Sequence, residues 1–117
     1  MGPPVIGLWQ VEIELDGHLT HVTHAYHPDG FMHLDAGGRG ACLLWEARGD
    51  RAFRFRGTRP IEPAIHRFLG WQYAAGEGEV SAHGDTFTGF EETDGPRTDG
   101  SREKRRATLR ASRLTLE

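Results

Sequence analysis

The chain has 117 residues and is read as one domain, 1–117, long enough for a single small core. A formal net charge of −3 sets up no strong field toward nucleic acid or an anionic membrane, so neither is expected as a partner. One cysteine, Cys42, excludes an internal disulfide and a thiolate-rich metal site, no run approaches the roughly 20 apolar residues of a membrane helix, and Met1-Gly2-Pro3-Pro4 lacks a secretory pattern, so a cytoplasmic setting is expected.

Eight strands are predicted, at about 5–15, 19–27, 31–36, 41–48, 52–57, 68–81, 86–93 and 105–116. The first alternates, with Gly7, Trp9, Val11, Ile13 and Leu15 on one side. Asp16-Gly17 then supplies a two-residue turn in which both positions take positive φ. Closing on that turn sets Ile13 opposite Thr20, Val11 opposite Val22, Trp9 opposite His24 and Gly7 opposite Tyr26. His27-Pro28-Asp29-Gly30 reads as a type I turn followed by a left-handed glycine, which sets Tyr26 beside Met32 and His24 beside Leu34. One inner face results: Trp9, Val11, Ile13, Val22, His24, Tyr26, Met32 and Leu34.

Gly37-Gly38-Arg39-Gly40 separates the third strand from the fourth, and Arg48-Gly49-Asp50-Arg51 turns the fourth into the fifth. In the fifth, Phe53 and Phe55 alternate with arginines. Pro60 and Pro63 argue against an interior strand over 57–67, and a short helical turn is expected from Pro63 to Phe68. Ala82-His83-Gly84-Asp85 joins the sixth and seventh strands, and Asp94 to Ser101 reads as the longest loop. No helix of useful length is available to cover a sheet face. Short sequential strands then pack as a sandwich or close as a barrel, and closure removes both sheet edges. An all-β, eight-stranded, antiparallel up-and-down barrel is therefore predicted, with an interior sized for side chains or one small ligand.

Gly7-Leu8-Trp9, at the start of the first strand, resembles the Gly-x-Trp signature of the lipocalin-like (calycin) barrels. His24-Ala25-Tyr26-His27-Pro28-Asp29-Gly30 and Leu44-Trp45-Glu46-Ala47-Arg48-Gly49-Asp50-Arg51 resemble hairpins of small uncharacterised bacterial barrels, and several bacterial natural-product cyclases are similar small barrels. The resemblance implies a cup for a small apolar molecule, with Trp9 as a plug at its closed end. The chain departs from secreted lipocalins in lacking their disulfides, C-terminal helix and length, and it lacks the glycine-rich run of haem-binding nitrobindins. No cofactor is expected.

His24 is the leading candidate for chemistry. A ring set among Trp9, Val22, Tyr26 and Leu34 is desolvated and neutral, so it can both donate and accept a hydrogen bond. The alternative is a core histidine satisfied by Tyr26 or by backbone. Tyr26 is the second polar candidate. The spacing His18, His21, His24, His27 suggests a metal, but strand alternation turns His21 and His27 away from His24, so no metal site is expected. His27 and His33 approach each other outside, and His21 faces Glu12.

Trp45, Phe53, Phe55, Trp71, Tyr73, Phe87 and Phe90 exceed what a plug needs, and Ala41, Ala47, Ala75, Ala107 and Ala111 leave room beside them. An aromatic-lined hollow is expected, with Trp9, Val22, Met32, Leu34, Trp45, Phe53, Phe55, Trp71 and Tyr73 as ligand-binding positions. A solid, interdigitated core is the alternative. Glu77 shares the face of Trp71 and Tyr73 unless Gly76 and Gly78 form a bulge. An inward Glu77 would have a raised pKa suited to acid–base work; a solvated face is the plainer reading. The basic cluster Arg102–Arg106 reads as a solvated strand entry.

The expected function is binding of one small, mostly apolar molecule inside the barrel, by a monomer or homodimer. The alternative is a cyclase or isomerase that folds a flexible substrate, with His24, Tyr26 and Glu77 as its polar groups. A third reading is an interaction module with a filled core, meeting a partner through Leu44 and Phe31.

Overall fold

The computed structural model describes residues 2–36, 39–61 and 67–114. Its eight strands are β1 (Gly7–Leu15), β2 (His18–Tyr26), β3 (Phe31–Ala36), β4 (Arg39–Ala47), β5 (Ala52–Ile61), β6 (Gly70–Val80), β7 (Thr86–Pro96) and β8 (Arg102–Arg113). Each pairs antiparallel with the next, and β8 returns to β1, closing the barrel. Closure gives every strand a paired neighbour on each side, removing the two free edge strands that an open sheet would keep.

The first two turns set the register as their chemistry requires. Asp16 has φ 51° and Gly17 φ 82°, the positive pair a tight hairpin needs. They pair Trp9 with His24 and Gly7 with Tyr26. Gly30 has φ 91° and donates to the His27 carbonyl, and the second hairpin pairs His24 with Leu34 and Tyr26 with Met32.

Three expectations fail here. β5 continues through Pro60 to Ile61. Over 57–61 it pairs with β6 alone, so a residue without an N–H breaks no ladder on its other side. The long loop shrinks, because β7 and β8 pair out to Pro96 and Arg102, leaving 97–101 as the turn. The third failure is the facing of β6. Trp71, Tyr73, Ala75, Glu77 and Glu79 point outward and are exposed, while Ala74, Gly76 and Val80 are buried. The glycines make no bulge, since pairing with β5 and β7 is continuous. They face inward because rings lie on them. A Cβ at Gly76 would collide with Phe55 Cζ and Cε2, and one at Gly78 would sit 2.7 Å from Phe53 Cζ. Phe90 also points outward, under the Arg106 guanidinium, and Ala47 is exposed. The helical turn expected over 63–68 falls largely outside the described residues.

The core is packed toward the end of the barrel where β1 begins. Trp9, Tyr26, Phe53 and Phe87 meet edge to face there, with Val5, Met32 and Val80. Trp9 Nε1 donates to the Val5 carbonyl at 2.8 Å. Arg113 seals this end. Its guanidinium lies 4.2 Å from the Trp9 ring centre and donates to the carbonyls of Pro4, Ile6 and Gly84. No helix among the described residues is long and apolar enough to cross a membrane.

Candidate functional site

Above this plug the inner face changes character. The next positions inward are His24 on β2, Leu34 on β3, Phe55 on β5 and Leu109 on β8, all buried. Toward the far end the inward positions shorten to Ala41, Gly57, Ala74 and Ala107. Long polar residues share that end: Arg59 on β5, Gln72 on β6 and Glu91 on β7. The barrel is thus filled at one end by rings and lined at the other by short side chains and a few polar groups.

His24 is 1 % exposed, set edge-on to Tyr26 and Phe55. Its Nδ1 lies 2.9 Å from the Tyr26 hydroxyl. Its Nε2 is the one buried side-chain polar atom without a hydrogen-bond partner among the described residues. Burial lowers its pKa to about 3, so the ring is neutral near pH 7. Burial pushes the Tyr26 phenol well above its ordinary value, and the Glu91 carboxylate adds to the rise, which places Glu91 within electrostatic reach of Tyr26.

Glu91 is the residue that sequence reasoning missed. It is 6 % exposed, and burial raises its carboxyl pKa while the Arg59 charge pulls the other way. Arg59 in turn donates through Nε to Gln72 Oε1. The alternation that places Phe87 inward also places Gly89 and Glu91 inward, so the signal was present in the strand pattern.

The other predicted site residues divide cleanly. Trp9, Val22, Met32, Leu34, Trp45, Phe53 and Phe55 are buried with His24 and Tyr26. Trp71 and Tyr73 are exposed by 51 % and 57 %; Trp71 meets Phe68 edge to face and Tyr73 lies near Arg102. Glu77 faces solvent with them. A groove of about 560 Å³ also lies outside the barrel, lined by Leu44, Glu46, Arg54, Arg56, Glu77 and Phe90.

Comparisons with protein families, curated proteins and solved structures find no match. The barrel geometry is consistent with a calycin-like fold. Outside it, His27 Nε2 and His33 Nδ1 are 2.8 Å apart, and His21 faces Glu12 at 3.8 Å. No group of three or more His, Cys, Asp or Glu side chains converges for a metal ion among the described residues.

Proposed function

We propose that the chain holds one small, mostly apolar molecule in the half of the barrel opposite the Trp9 plug, with His24 as its polar contact. The observation that carries this reading is the unpartnered Nε2 of a fully buried ring. Leaving a buried polar atom unsatisfied costs about 1–3 kcal/mol, so a residue that serves packing alone is better apolar. Short side chains at Ala41, Ala74 and Ala107 support the same reading, since they reach less far inward than the rings at the other end, although Leu43 lies over Gly57. The Gly-x-Trp resemblance supports the same use of the interior.

Cyclase or isomerase chemistry is the second reading, and one observation favours it. Burial displaces His24 downward and Glu91 upward, so a neutral imidazole and a carboxyl of raised pKa share one inner surface. Glu91 replaces Glu77 in that role.

N-phenyl-1-naphthylamine, an uncharged apolar fluorophore, tests the binding reading. Saturable binding of one probe per chain is expected. Ala107→Leu, which fills the short-chain half from β8, should weaken it at least about tenfold while the variant stays folded by thermal denaturation. Absence of saturable binding, or binding unchanged in Ala107→Leu, contradicts the proposal.

A further inference from the structure

We infer that His24 presents an Nε2–H donor to the barrel interior, and that the molecule it meets is a neutral compound whose carbonyl oxygen accepts that bond. This rests on the interior-binding reading and adds the chemical class of the ligand.

The argument starts from the phenol. Tyr26 is 2 % exposed, and its hydroxyl has one hydrogen-bond partner among the described residues, His24 Nδ1. A phenol carries a proton that needs an acceptor. If Nδ1 were protonated, the hydroxyl would accept from it. The phenolic proton and the Nε2 lone pair would then both be stranded in the core. If Nδ1 is bare, the hydroxyl donates to it and Nε2–H alone lacks a partner. The second arrangement leaves one buried group unmet instead of two, so it is favoured.

A lone buried N–H selects its partner. A carbonyl oxygen accepts without bringing a donor of its own, whereas a hydroxyl group adds a proton that must be satisfied. A carboxylate is disfavoured, because it would bring a full charge beside the buried imidazole, which costs far more to desolvate than a neutral carbonyl. Tyr26 is then a positioning residue: it fixes the tautomer through Nδ1 and leaves the ligand to Nε2.

Matched probes separate this inference from the reading beneath it. Acetophenone and isopropylbenzene form one pair, and 2-acetylnaphthalene and 2-isopropylnaphthalene a larger one; each pair shares a shape and differs in the carbonyl. Titrations are followed at the ¹⁵N-labelled imidazole of His24 in the full chain. In the free protein Nε2 is expected to be the protonated nitrogen. One ketone or both should bind at least about tenfold tighter than the matched hydrocarbon and shift the Nε2–H resonance. In Tyr26→Phe the preference for ketone should shrink. A protonated Nδ1 in wild type, or equal affinity within both pairs, overturns the carbonyl inference and leaves interior binding standing. No shift with any of the four probes overturns interior binding itself.

Discussion

Lowering the pH from 7 to about 4.5 is expected to cost the folded chain about 2–3 kcal/mol through His24 alone. In the unfolded chain the imidazole takes up a proton near its ordinary value of 6.5; in the barrel it resists until about 3. The stability contributed by the neutral ring is therefore full above pH 6.5 and drains away as the pH falls toward 3. Glu91 acts in the opposite sense. Its raised carboxyl contributes stability that is present in acid and lost as the pH rises through its folded value, so it offsets part of the loss from His24. Glu103, held to about 2 by Arg97 and Arg105 at the surface, begins to lose its contribution as the pH falls through its ordinary value of 4.5, at the acid end of the window. Urea unfolding of wild type and His24→Phe at pH 7, 5.5 and 4.5 isolates the ring. The wild type should lose stability steeply and His24→Phe much less. Parallel losses in the two proteins would show that His24 is accessible to protons in the folded state.

Gly89→Ala is expected to be the most damaging small substitution in the barrel, at about 3 kcal/mol or more. Gly89 pairs with Gly78 across β6 and β7. A Cβ there would fall on the Glu77 carbonyl oxygen and lie 2.7 Å from Gly78 Cα. Both obstacles are backbone, so no rotamer change relieves them, and the two strands must separate. That separation would disturb the inward ledge on which the Phe53 ring rests. Gly84→Ala is the control. Its φ is +79°, but nothing lies within 4 Å of the added atom, so only the strained backbone costs, at about 1 kcal/mol. Thermal unfolding should place the midpoint of Gly89→Ala about 10 °C or more below wild type. A drop no larger than that of Gly84→Ala would mean that β6 and β7 are not in such close approach.

Much of this architecture is written in local chemistry. Asp16-Gly17 and Gly30 dictate backbone angles that few other residues accept, and each angle fixes a register. From those two registers the inward facing of Trp9, His24, Tyr26, Met32 and Leu34 follows by counting in twos. β6 defeats the same counting. Its aromatic residues suggest an inner face, yet its glycines hold that position, because the space above them belongs to Phe53 and Phe55 on a neighbouring strand. That is a tertiary fact, and nothing within 70–80 announces it. Pro60 misled for a related reason: a proline bars a strand flanked on both sides, and β5 at that point has β6 alone. Glu91 was legible from its spacing to Phe87, but a charged residue invites an outward reading unless parity is followed through.

The sharpest measurement concerns His24 and Tyr26 together. His24→Leu/Tyr26→Phe removes the hydroxyl and both ring nitrogens and leaves apolar side chains of nearly the same shape. If the polar pair is kept for a ligand, this variant should be more stable than wild type at pH 7 by about 1–2 kcal/mol and should lose the preference for 2-acetylnaphthalene over 2-isopropylnaphthalene. A variant less stable than wild type, with binding unchanged, would show that the pair serves the fold and that the ligand, if any, is held elsewhere.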